Sequence, residues 1–164
     1  MIWAKIFRPA LIVIAFTSTG CLEEVNYPDE PVVEFISFII DETDGAVLSF
    51  NVVDGDGDLG LNSDDILEPF CPNCEHYYNL KCEYEELRDG VWTHIELNPE
   101  EGQVPFYYRV PRANPSGTNQ AINAVVEVDM QTWHLQSSYD TLRFRITMED
   151  RSLNLSSPDT TSII

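Results

Sequence analysis

From Val32 onward, apolar and polar residues alternate along the chain with a period of two. In "AVLSFNVV", residues 46–53, Leu48, Phe50 and Val52 fall on one side, with Ser49 and Asn51 on the other. "INAVVEVDM" (Ile122–Met130) sets Ile122, Ala124, Val126, Val128 and Met130 against Asn123, Glu127 and Asp129. "TLRFRITME" sets Leu142, Phe144, Ile146 and Met148 against Arg143, Arg145, Thr147 and Glu149. Such alternation predicts strands with one buried and one wet face. "YYNLKCEYEEL" and "VWTHIEL" flank "RDG", which predicts a hairpin turning at Asp89-Gly90. "VVEFISFII" opens the domain and the terminal "TTSII" closes it, while the proline-bounded "VPFYYRVP" suits a sheet edge. No segment carries a convincing amphipathic helical period. The largest helical element expected is a single turn capped by Ser63 in "SDDILEP". Seven to eight short strands with polar turns predict an all-β, antiparallel β-sandwich over residues 32–164.

The first 31 of the 164 residues do not share this pattern. Lys5 and Arg8 precede an apolar run at residues 10–16, and small residues then lead to Cys21, the layout of a secretory signal over residues 1–20. Seven apolar residues are far short of the roughly 20 that a spanning helix needs. "TSTGC" resembles a bacterial lipobox, with Ser18 where leucine is usual. That resemblance implies a diacylated Cys21 as the mature N-terminus, hence attachment to a membrane through lipid. "LEEVNYPDEP", residues 22–31, has two prolines and four acids, and with Cys21 it reads as an acidic tether over residues 21–31.

Charge narrows the partners. The chain carries 28 acidic against 9 basic residues, and loss of Lys5 and Arg8 with the signal takes the formal net charge from −19 to −21. A surface this acidic repels phosphate backbones, so nucleic acid is not an expected partner. Divalent cations are a natural one.

"VVDGDGDLGLNSDD", residues 52–65, concentrates the charge, with five aspartates in fourteen residues. Asp54, Asp56 and Asp58 stand at i, i+2 and i+4 with Gly55 and Gly57 between them, a spacing that can curl around one ion. At about 5 Å and an effective dielectric of about 20, each uncompensated pair costs roughly 3 kcal/mol. Water can tolerate such a loop; a hard dication would make it attractive, and oxygen-only donors suit Ca²⁺. Continuing an EF-hand-like count adds the Gly60 carbonyl, Asn62 and Asp65. Leu59 stands where an EF-hand needs glycine and a strand precedes the loop, so this is no EF-hand. Both a hydrated acidic turn and a weak calcium loop stay open, and three equivalent aspartates suit architecture rather than catalysis.

Cys71, Cys74 and Cys82 are the disulfide candidates, with a Cys71–Cys74 or a Cys74–Cys82 bridge both open. "CPNC" lacks the βαβ surroundings of a thioredoxin-type pair, and Glu75 before His76 breaks a haem-attachment motif. Cys71, Cys74, His76 and Cys82 together have the ligand types of a zinc site at unusual spacing. Alternation places Cys82 with Tyr78, Leu80 and Tyr84 on the core side. His76, His94 and His134 form no catalytic spacing. Trp92 is expected on an outer face, and Tyr107, Tyr108, Trp133 and Tyr139 near loops; exposed rings can stack on sugars or fill a protein interface, with ordinary core filling the expectation for most of them.

The C-terminal "FRITMEDRSLNLSSPDTTSII", with Asp150, Arg151 and Asn154, resembles the last two strands of bacterial immunoglobulin-like or fibronectin-type domains. "SFNVVDGDGDLG" resembles a signature of Bacteroidetes-type surface lipoproteins carrying one such sandwich. The resemblance leaves residues 69–120 without support and implies fold and location more than activity. The expectation is an outer-membrane lipoprotein, surface-exposed or facing the periplasm. It would act as a non-catalytic binding or structural module, stabilised by calcium, with its protein or glycan partner unnamed. The alternative is a carbohydrate-binding accessory subunit of a surface glycan-uptake system.

Overall fold

A computed structural model describes residues 27–113, 120–135 and 137–164. The expected signal segment, Cys21 and tether residues 22–26 lie outside the described residues.

Among the described residues, eight strands form two antiparallel sheets: β1 (Val32–Ile40), β2 (Ala46–Asp54), β3 (Leu80–Arg88), β4 (Val91–His94), β5 (Tyr107–Tyr108), β6 (Ile122–Met130), β7 (Leu142–Met148) and β8 (Asp159–Thr160). One sheet runs β1-β2-β6; the other runs β4-β3-β7-β8, with β5 also on β3. The chain crosses between sheets after β2, returns with β6 beside β2, and crosses again into β7. This is the expected immunoglobulin-like sandwich. Alternation produced it directly: Leu48, Phe50 and Val52 on β2 and Phe144, Ile146 and Met148 on β7 are all fully buried. Burying each such side chain contributes about 1.5–3 kcal/mol. Phe38, Tyr84, Phe106, Phe144 and Trp133 join the sheets through stacked and edge-on rings 5.1–6.1 Å apart.

β1 carries an irregularity between Phe35 and Ser37, which lets its inward side change without breaking pairing to β2. The hairpin at Asp89-Gly90 forms as expected, both residues having positive φ. The helical turn expected at Ser63 does not; the segment makes hydrogen-bonded turns instead. Among the described residues the helical element is a 3-10 turn at Pro99–Glu101, capped by Asn98, whose side chain accepts from the Glu100 N–H. It holds only three residues, too few to present an apolar face, so no period marks it.

Strand pairing fixes which ends meet. β1 begins opposite the end of β2, β6 begins beside Asp54, and β3 begins opposite the end of β7. Tether, acidic loop and the turn after β7 therefore share one pole of the sandwich.

Candidate functional site

Asp54 is the last residue of β2 and has the inward parity of Leu48, Phe50 and Val52, so its carboxylate points into the mouth of the core. It is fully buried. The chain then folds back on itself. Gly57 takes φ 73° and a Cβ there would lie 1.8 Å from the Gln120 carbonyl. A Cβ on Gly55 would lie 2.4 Å from the Tyr27 carbonyl, so this glycine makes room for the tether rather than acting only as a hinge. The fold-back brings half-buried Asp58 towards Asp54. Asp150, 1% exposed, reaches the same point from the turn after β7. One oxygen from each of the three lies within 4.8 Å of the others.

Hydrogen bonds hold the arrangement. The Leu59 N–H donates to Asp54 Oδ2 at 3.1 Å, and the Ser152 hydroxyl donates to Asp58 Oδ2 at 2.7 Å. Asp150 accepts from the backbone and side-chain N–H groups of Asn154, both at 2.8 Å, closing a turn in which Leu153 has φ 68°. Asp54 Oδ1 and Asp58 Oδ1 are buried without a hydrogen-bond partner among the described residues. Burial, then the negative charges of Asp56 and Asp58, push the Asp54 carboxyl up to about 7. Burial also raises Asp150, against the Asn154 hydrogen bonds.

The EF-hand-like continuation is not brought together. Asp56 is exposed at the loop tip, with Oδ1 3.4 Å from the Asp58 N–H. Gly60 abuts the backbone of Pro111 and Arg112. The Asn62 and Asp65 carbonyls accept from Arg109 at 3.0 and 2.6 Å. The Asp65 carboxylate accepts from the Asn62 N–H at 2.7 Å and pairs with Arg151, which holds it below the usual carboxylate range. These residues fasten the long loop between β2 and β3 to the sandwich. Asp150 was visible in the sequence only as a turn residue.

Cys71 and Cys74 form the disulfide, and Cys82 is a free thiol 1% exposed in the core, its pKa raised by burial. The four-residue zinc set therefore does not assemble: two thiolates are consumed, Cys82 faces inward, and His76 Nδ1 pairs with Glu149. Trp92 lies on the outer face as expected, with the Arg143 guanidinium 4.3 Å above its ring. Trp133, in the connection after β6, fills the core and donates to the Asp44 carbonyl at 3.1 Å. Tyr107 and Tyr108 line an open groove of about 590 Å³ with Gln103, Asp129, Gln131 and His134. Tyr139, exposed, sits 4.8 Å from the Arg88 guanidinium. No protein-family model matches the chain, and neither does any curated protein or solved structure with which it was compared.

Proposed function

We propose that the chain is an extracytoplasmic β-sandwich module, lipid-anchored through Cys21 to the outer membrane at the cell surface, acting by binding or architecture rather than catalysis. The observation that carries this reading is the way the anchor end enters the fold. The Gly55 N–H donates to the Pro28 carbonyl at 2.8 Å, Val32 bridges Ser157, and the Phe35 N–H donates to Asp159 Oδ2 at 2.7 Å. The chain arriving from Cys21 is thus fastened to both sheets within a few residues. Such stitching suits a domain held at a fixed height above its anchor.

The polar groups support the non-catalytic part. His76–Glu149 and Asp65–Arg151 are closed pairs that brace loops, each engaged with its partner rather than free for acid–base work. For a binding role, the groove beside Tyr107 and Tyr108 is one concavity among the described residues, and a second of about 480 Å³ lies beside the tether, between Pro28 and Asp159. The glycan-uptake reading is the weaker one, because the Trp133 ring is spent in the core and Trp92 is covered by Arg143. Replacing Cys21 by serine tests the anchor: the variant should leave the membrane fraction for the soluble extracytoplasmic fraction. Unchanged partitioning would overturn it.

A further inference from the structure

The two sheets of a sandwich meet through apolar side chains, but at the tether pole they meet through acids. Asp54 ends β2, Asp58 lies in the loop that follows it, and Asp150 lies in the turn after β7 in the opposite sheet. Like charges drawn from facing layers should push the layers apart unless something lies between them. We propose that this pole binds one Ca²⁺ ion through Asp54, Asp58 and Asp150, and that the ion clasps the two sheets beside the tether.

Three features carry the proposal. The first is spacing. Calcium–oxygen distances of about 2.3–2.6 Å let two ligand oxygens stand about 4.6–5.2 Å apart across one ion. Three oxygens within 4.8 Å of one another can close on one calcium ion with adjustments of no more than a few tenths of an ångström. Magnesium, at about 2.0–2.1 Å and with a stricter octahedron, spans at most about 4.2 Å between opposite oxygens and tolerates less departure from its geometry.

The second is the unmet polar demand. Asp54 is fully buried, yet its Oδ1 has no hydrogen-bond partner among the described residues, and the same holds for the buried Oδ1 of Asp58. A buried acceptor left unpaired is costly, more so when charged. Among the described residues no ion pair reaches Asp54, Asp58 or Asp150, and the adjacent Arg151 is taken by Asp65.

The third is donor chemistry. The three groups offer oxygen only, with neither imidazole nor thiolate beside them, which selects a hard dication over zinc or copper. Three carboxylates leave several coordination positions to water, so binding should be weak, on the order of 10⁻⁴ to 10⁻³ M, as in other extracellular modules. The ligand set is non-local: two residues of the glycine-rich loop and one 92 positions after Asp58. The ion would act as a cross-sheet staple, and it does so whether or not Cys21 carries lipid.

The test is a thermal melt of the full chain in detergent micelles, first stripped with chelator and then titrated with CaCl₂. At calcium about tenfold above its dissociation constant, the melting temperature should rise by about 3–6 °C. Equal MgCl₂ should give less than half of that rise. Asp54→Asn and Asp58→Asn keep the side-chain shape and should fold but ignore calcium. Asp56→Asn should respond like the parent, because Asp56 is exposed. The proposal is overturned if the parent shows no rise at about 10 mM calcium. In that case a proton shared among the three acids satisfies the pole. It is overturned equally if Asp54→Asn still responds, or if Asp56→Asn abolishes the response.

Discussion

Asp54→Asn should stabilise the calcium-free protein at neutral pH, although it removes a buried side chain's charge from a well-ordered strand end. Asp54 is fully buried, and its carboxyl rises from the ordinary 3.8 to about 7 because burial and the charges of Asp56, Asp58 and Asp150 disfavour ionisation. Only the Leu59 N–H favours the charged form. A folded-state value above the unfolded one means the native protein keeps this proton across a window in which the unfolded chain has lost it. Stability therefore falls as pH climbs from about 4 to about 7 and stays level above that, by at most about 4 kcal/mol for the whole window. Against a typical total of 5–15 kcal/mol this is a large fraction.

Asparagine keeps a carbonyl for the Leu59 N–H and adds an amide that can donate to Asp58 or Asp150. The assay is denaturant unfolding of both proteins in chelator at about pH 4.5, 6 and 7.5, with the window set by the Asp54 titration. The two should be nearly equal at the lowest pH, with the variant ahead by a growing margin as pH rises. Asp150 is raised in the same sense and lies beside Asp54, so the difference between the two proteins reports the Asp54 carboxyl together with its coupling to Asp150. A variant less stable than the parent at the highest pH, or a difference that ignores pH, would refute the reasoning. Calcium should reverse the order, since it rewards the parent alone.

Other expectations follow from the same geometry. Gly57→Ala meets both a positive φ of 73° and the Gln120 carbonyl 1.8 Å from the new Cβ, whereas Gly90→Ala has φ 81° with open space around it. The first should cost well over 2 kcal/mol and the second about 1; equal losses in thermal melts would show that the acidic loop is not packed against residue 120. Replacing Cys71 and Cys74 together by serine should cost about 1.5–2 kcal/mol, since the bridge closes a very short loop. A much larger loss would mean the bridge does more than constrain the unfolded chain. Cys82, buried and with its thiolate disfavoured, should resist thiol reagents until the domain unfolds; mass-spectrometric labelling of Cys82 in the native protein would contradict its place in the core.

Sequence patterning read well wherever one physical constraint acted along a short stretch. Leu48, Phe50 and Val52 had to share a face because a strand has period two, and that face had to be the core because the other carries Ser49 and Asn51. The same logic put Cys82 among Leu80 and Tyr84, but it failed for Tyr78, which precedes β3 and is exposed because no strand imposes the period there. Trp133 escaped it because it lies in a connection, where no period exists, and its burial depends on Phe38 and the Asp44 carbonyl from a distant hairpin. The disulfide was undecidable from spacing alone, since alternation says which way a cysteine faces and not which neighbour it meets.

The acidic pole shows where such reading must stop. Asp54 and Asp58 were visible as a pair because a loop's own geometry is local. Extending that loop by counting to Gly60, Asn62 and Asp65 assumed that the third partner is local too. The sandwich supplies a different one. Because β2 and β7 end at the same pole, the turn that Asp150 closes with Asn154 is pressed against the end of β2, and Ser152 donates to Asp58 across the gap. Asp65, meanwhile, is drawn away by Arg151 from that same turn. One five-residue turn thus decides the fate of two aspartates, holding one against the loop's start and pulling the other to its wall. The tether lies on this junction as well, through Pro28 and Gly55. A change in Asp150 should therefore be felt in three places together: the sheet contact, the loop and the chain that leads to the anchor.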